Sequence, residues 1–232
     1  MAISVIIFDV DGLLFDSEKL HRKAWEQVFK RRQITLSEVD YAGGVGVSDE
    51  DFLVALRNSG RIPASLSVRK LVAEKIPVLV SLADKGARLQ PGMRQFLHTL
   101  AKQYAFAAAS NSDHPFIERL MKNAGIERMF SCVLTRKDVK RPKPAPDIYL
   151  LCARCLGVCP DQCCVVEDSP VGIRAAKSAG MLCAAISFTL PGKMLGEADI
   201  VLRNPSIRQF QRFLGSAGAR QKESIHNRTK AV

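Results

Sequence analysis

Asp9 and Asp11 stand two positions apart in the stretch FDVDGLLFDS, directly after the apolar run Ile3-Ser4-Val5-Ile6-Ile7. One carboxylate of such a pair can attack as a nucleophile while the other carries a proton. The pair also concentrates negative charge, which suits a hard cation with oxygen ligands such as Mg²⁺. Ser110 follows a second apolar stretch, Glu167 and Asp168 close a third, and Lys143 sits in a loop stiffened by Pro142, Pro144 and Pro146. A phosphoryl group in transfer needs a nucleophile, a metal, and cationic and hydrogen-bonding groups around its equatorial oxygens. This set contains each of them. Singly, each residue has an ordinary alternative: a solvated acidic turn for the Asp pair, a helix cap for Ser110, a solvent-facing loop charge for Lys143.

Strands are needed to hold these groups. The run before Asp9 is rich in β-branched residues and reads as a buried strand, which Gly12 stops. In open α/β sheets the chemistry sits outside the carboxyl ends of strands, so Asp9 and Asp11 are expected at the mouth of a cleft. Further strands are predicted over residues 104–109, 130–134, 163–166, 182–186 and 200–202, with helical stripes between them. That alternation implies right-handed βαβ units and a parallel sheet, with the first strand central between those ending at Ser110 and Glu167.

Residues 17–85 offer no strand. Ser17 reads as the N-cap of a helix carrying Leu20, Ala24 and Val28, and Ser48 with Asp51 as a capping box before Phe52, Leu53 and Leu56. The helix around Leu71, Val72, Leu79 and Leu82 is expected to break or kink near Pro77. Asn204-Pro205 is read as opening a short last helix, with the Pro at its first position. The expected organisation is α/β: a Rossmann-like parallel sheet core from residues 1–16 and 86–215, a helical insert at 17–85, and a basic tail at 216–232 that is expected to be disordered.

A chain of 232 residues can bury a sizeable core. No apolar run approaches the roughly 20 residues of a membrane span, and the first residues lead straight into a strand with no leader pattern, so no membrane partner is expected. Seven cysteines, an odd count without signs of export, point to reduced thiols in the cytoplasm. Cys152, Cys155, Cys159, Cys163 and Cys164 include a zinc-like spacing. Because they divide between a helix and a strand whose neighbours face opposite ways, small buried hydrophobes are the preferred reading. The net charge is +11, and from Arg203 onward seven basic residues face one acid. No zinc finger, aromatic RNA-binding signature or basic-region heptad accompanies them, so a solvated tail is preferred over nucleic acid as a partner. A monomer is expected.

The ordered series of DVDG, a Ser after a strand, a Lys before Pro, and ED after a strand resembles the four motifs of the haloacid-dehalogenase-like superfamily. The segments KPAPDIY and VVEDSPVGIRAAKSAG bring the resemblance to its β-phosphoglucomutase-like phosphatase branch, over residues 1–214. The resemblance implies that Asp9 is a nucleophile forming an aspartyl-phosphate, and that Asp11 protonates the leaving oxygen and then activates water. It implies Mg²⁺ held by Asp9, the Asp11 backbone carbonyl and Asp168, with Glu167 helping directly or through water. Ser110, Lys143 and the Asn111 backbone would bind phosphate, and the Lys143-Pro144 bond would be cis. The helical insert falls where this branch places its cap domain, from which His21 is expected to reach the substrate. Residues 45–51 resemble the sugar-phosphate-gripping loop of the mutases, which carry a Lys and an Arg where this chain has Val45 and Asp49. The implied activity is a Mg²⁺-dependent phosphatase for a small phosphorylated metabolite, of the sugar phosphate kind. A phosphomutase is the alternative, and nucleic-acid binding through the tail a second one.

Overall fold

Strand β1, Val5–Phe8, is buried along its whole length because both faces of the sheet around it are covered. The computed structural model describes residues 2–216; the tail expected at 216–232 lies, apart from its first residue, outside the described residues. The other strands are β2 (Ala105–Ser110), β3 (Cys132–Thr135), β4 (Cys163–Glu167), β5 (Leu182–Ile186) and β6 (Ile200–Leu202). They form one six-stranded sheet in the order β3-β2-β1-β4-β5-β6. Every pairing is parallel, so β1 lies between β2 and β4 as the sequence predicts. Strand ends differ from expectation by one or two residues; β2 and β4 run on to include Ser110 and Glu167 themselves.

The period of two sorts the strand residues into two cores. Ile6, Phe8, Phe106, Ala108, Cys164 and Val166 face one side, under Phe96, Leu97, Phe116 and Phe210. Val5, Ile7, Ala107, Ala109, Cys163 and Val165 face the other, under Ile148, Tyr149, Ile173 and Ala176. Helices α5 (Met93–Leu100) and α6 (His114–Ala124) cover the first face, and α7 (Asp147–Cys155) and α8 (Pro170–Ser178) the second.

Between β1 and α5 the chain is helical: α1 (Glu18–Lys30), α2 (Glu38–Ala42), α3 (Asp49–Asn58) and α4 (Val68–Gly86). Trp25, Phe29, Phe52, Leu53, Leu71 and Val72 gather there into a third apolar cluster. Helix α4 is continuous through Pro77, against the expected break. Pro77 removes one helical hydrogen bond, but burial of Leu71, Val72, Leu79 and Ala83 on the same helix holds both halves in register. Ser48 caps α3 as expected, accepting the Asp51 N–H at 3.2 Å. Ser17 does not cap α1: its hydroxyl is directed to Asp11. The last helix spans residues 207–216, so Pro205 lies before it and Ser206 is the residue that accepts the Gln209 N–H.

The seven cysteines are free. Cys152, Cys163, Cys164 and Cys183 are buried, whereas Cys155 and Cys159 are exposed, which corrects the reading of the whole group as core. Among the described residues no cysteines gather into a metal-binding group of three or more. None of the described helices is long and apolar enough to cross a membrane.

Candidate active site

The parallel register brings three strand ends to one edge of the sheet. Asp9 is the first residue beyond β1 and donates its backbone N–H to the Val166 carbonyl at 3.0 Å. Ser110 ends β2 and Glu167 ends β4, with Asp168 next. Gly12 turns the chain after Asp11 at φ +80°, and a Cβ there would lie 2.2 Å from Asp168 Oδ2. Both the left-handed backbone and the close approach require glycine.

Lys143 is buried at the centre. Its ammonium donates to Asp9 Oδ1 (2.5 Å), Glu167 Oε1 (2.8 Å) and the Ala109 carbonyl (3.0 Å), and stands 4.9 Å from the centroid of the Tyr149 ring. The Lys143-Pro144 bond is cis, as the resemblance implies. Asn111 holds the loop: its Oδ1 accepts the Lys143 N–H (3.0 Å), and its Nδ2 donates to the carbonyls of Lys143 (3.2 Å) and Gly46 (3.4 Å).

Glu167 accepts from Lys143 and from the Tyr149 hydroxyl (2.6 Å) on one oxygen. Its other oxygen accepts the N–H groups of Asp168 (3.0 Å) and Ser169 (3.1 Å) and the Ser169 hydroxyl (3.0 Å). Burial alone would raise its pKa; the Lys143 charge and these hydrogen bonds outweigh burial and hold it below the ordinary carboxylate range. A Cβ on Gly172 would lie 1.6 Å from Glu167 Oε1. Gly172→Ala therefore has to displace a carboxylate held by several donors, and is expected to cost about 1–3 kcal/mol of stability in urea unfolding. Wild-type stability in that variant would show that Glu167 is less fixed than its contacts require.

Asp9, Glu167 and Asp168 are all buried, and an oxygen from each lies within 4.8 Å of the other two. Burial, joined by mutual repulsion, raises the carboxyls of Asp9 and Asp168 well above the ordinary range. One ammonium therefore serves three buried carboxylates, and a cation bound by oxygen ligands would offset the surplus charge.

Asp11 faces the other way, into the cleft. It accepts from Ser17 (2.7 Å), Ser110 (2.8 Å) and Ser112 (2.8 Å), and His21 Nε2 lies 3.1 Å from its Oδ1. Burial raises its pKa, but the His21 charge and the hydrogen bonds from His21, Ser17 and Ser110 outweigh it and leave the carboxyl below the ordinary range. Behind His21, the buried ammonium of Lys75 meets His21 Nδ1 at 2.8 Å and pairs with Asp49.

A cavity of about 260 Å³ opens between the sheet edge and the helices, lined by Asp9, Asp11, His21, Ser110, Asn111 and Lys143 together with Trp25, Val45 and Asp49. Glu167 and Asp168 lie behind it. All eight expected site residues are thus brought together. Sequence reasoning missed Ser17, Ser112, Tyr149 and Lys75. Ser17 carries a cap signal that the structure spends elsewhere, and Lys75 resembles any other helix lysine. Tyr149 stands within KPAPDIY, where burial next to a lysine was the available signal.

Residues 3–180 match the model of the haloacid dehalogenase-like hydrolase family. The chain belongs to that family. Among haloacid dehalogenase-like relatives, fructose-1-phosphate phosphatase YqaB of Escherichia coli is 33% identical, over 76% of this chain and 92% of its own. The validoxylamine A 7'-phosphate phosphatase of Streptomyces hygroscopicus subsp. limoneus is 30% identical, over 86% and 93%. The crystal structure of CbbY from Rhodobacter sphaeroides in complex with phosphate superposes with a TM-score of 0.80 at 28% identity, covering 88% of this chain and 96% of that one. CbbY shares the α/β fold described above, and the chain is a hydrolase of this family.

Proposed function

We propose that this hydrolase is a Mg²⁺-dependent phosphatase acting on a small phosphorylated metabolite of the sugar phosphate class. The observation that carries this is the meeting of Asp9, Asp11, Ser110 and Lys143 at one cavity, with the acidic trio behind it. The phosphatase activities named for its relatives from Escherichia coli and Streptomyces support the reading.

Asp9 and Asp168 would hold Mg²⁺, together with the Asp11 backbone. Glu167, whose oxygens already accept five donors, would contribute its charge or act through a water. When bound, the ion supplies charge stabilisation for the phosphoryl oxygens. Lys143 orients the Asp9 carboxylate and offers its positive charge to the same oxygens. Ser110, which donates to Asp11, is the hydroxyl proposed to bind a phosphate oxygen. Asp9 attacks phosphorus, Asp11 gives a proton to the leaving oxygen and then takes one from water, and the acyl-phosphate bond breaks to return Asp9. The low pKa of Asp11 keeps it ionised, so the proton for its acid role has to be supplied to it. His21, in contact with it, is placed to deliver the proton that the acid role needs.

Residues 17–85 are proposed as a cap that closes over the ester. The carbonyl of Gly46 accepts from Asn111, and Glu50 pairs with Arg136 at 2.6 Å, so the stretch leading into α3 already touches the loops that follow β2 and β3.

Asp11→Asn is expected to slow turnover by about 10²–10⁴-fold while leaving Mg²⁺ affinity, read by calorimetry, largely in place. Collapse of metal affinity would assign its side chain to the metal instead. The mutase alternative is separated by product: with β-glucose 1-phosphate, Mg²⁺ and a trace of the 1,6-bisphosphate, free phosphate should appear faster than glucose 6-phosphate. The reverse order would favour the mutase.

A further inference from the structure

Cys132 opens β3, an edge strand of the sheet, and is partly exposed. In the parallel register it pairs with Ala107, so its side chain joins the face of the sheet that α7 covers. Helix α7 brings Cys152 onto that face, with its sulfur 4.0 Å from the Ala108 carbonyl. Cys155 follows three positions later on the same side of the helix, and it is exposed as the last residue of α7. The Cys132 sulfur is in hydrogen-bonding contact with both of these thiols. None of the three lines the cavity at the sheet edge, and they do not gather closely enough to hold a metal ion. We propose that Cys132 and Cys155 form a peroxide-sensitive dithiol, in which Cys132 reacts with the peroxide and Cys155 closes a disulfide onto it.

The surroundings assign the two roles. The thiolate is the form of cysteine that attacks a peroxide. The hydrogen bond from Cys152, with a further one from Cys155, outweighs burial and the nearby Asp138 charge, and the Cys132 thiol is pushed down to about 6. The hydrogen bond to Cys132 and burial raise Cys152 well above the ordinary thiol range, and burial with the bond to Cys132 raises Cys155. Both therefore stay protonated and keep donating to the Cys132 thiolate. Cys152 is the poorer partner for a disulfide, because it is fully buried in the core beside Ile148 and Tyr149. Cys155 ends its helix, where the backbone frays, and can approach Cys132 without moving that core. In the first step the Cys132 thiolate takes one oxygen of hydrogen peroxide: the O–O bond breaks, Cys132 becomes a sulfenic acid and hydroxide leaves. In the second, the Cys155 sulfur attacks the Cys132 sulfur; the S–S bond forms, the S–O bond breaks, and the hydroxyl leaves as water with the proton of Cys155.

The test treats the reduced full chain at neutral pH with one equivalent of hydrogen peroxide, then counts thiols after denaturation and maps the peptides by mass spectrometry. The wild type should lose two of its seven thiols. The mass should fall by two hydrogen atoms, with Cys132 and Cys155 joined within one chain and both thiols restored by dithiothreitol. In Cys155→Ser, the second step is blocked, and dimedone added with the peroxide should label Cys132 ahead of the exposed Cys159. Cys159→Ser should form the same link as the wild type. The wild-type peptide map decides on its own should either variant fold poorly. Retention of all seven thiols, a link from Cys132 to any other cysteine, disulfides only between chains, or dimedone on Cys159 rather than Cys132 in the folded Cys155→Ser variant would each overturn the proposal. Because the assay reads thiols and not phosphate, its failure leaves the phosphatase reading untouched.

Discussion

Asp9→Asn should abolish turnover, lowering phosphate release by about 10⁴-fold or more, the scale on which an enzyme loses rate with its nucleophile. An amide is a poor nucleophile and a weak ligand for a hard cation, so one substitution removes both proposed roles. The loss should not come from unfolding. Asp9 is a buried carboxylate that burial holds well above its ordinary pKa, which means that its charge is unfavourable where it stands. The neutral amide relieves that repulsion from Glu167 and Asp168, and the variant's melting temperature should equal or exceed that of the wild type. Phosphate release at a substantial fraction of the wild-type rate would remove Asp9 from the chemistry.

Lys143→Met should have the largest effect on stability. It leaves Asp9, Glu167 and Asp168 buried together with no cation among them, and breaking a buried pair in this way costs about 3–5 kcal/mol. The pH dependence gives a second check. Lys143 and the hydrogen bonds hold Glu167 below its ordinary value of 4.5. In the wild type this contribution is present above 4.5 and is lost as acid carries the pH through the lower folded value. Without Lys143 the buried carboxyls titrate above their unfolded values. The variant's urea midpoint should then rise as the pH falls through the acid range, where the Glu167 contribution of the wild type declines. Equal stability of the two proteins at neutral pH would show that the trio is compensated by something other than Lys143.

The sheet was legible because its strands, buried on both faces, are short apolar runs that end in the chemical residues. Asp9 follows Ile7-Phe8, Ser110 follows Ala107-Ala108-Ala109, and Glu167 follows Val165-Val166. What the sequence did not disclose depends on competition between partners. Ser17 has the type and position of a helix cap, but the half-buried carboxylate of Asp11 offers its hydroxyl a charged acceptor, which forms the stronger bond. Pro77 carries a local break signal, and tertiary burial along α4 overrides it. Lys75 and Tyr149 are read as an ordinary helical lysine and a core aromatic until the fold sets them beside His21 and Glu167. The same competition fixes Asp49, whose pairing with Lys75 no local pattern announces.

The most direct measurement is phosphate release by the purified protein from a panel of sugar phosphate esters, with Mg²⁺ and then with the metal removed by chelation. Free phosphate should be released from one or more esters, in a manner dependent on Mg²⁺ and restored when it is returned. Release that continues undiminished without a divalent cation, or no release from any ester while the protein is folded and metal-loaded, would contradict it.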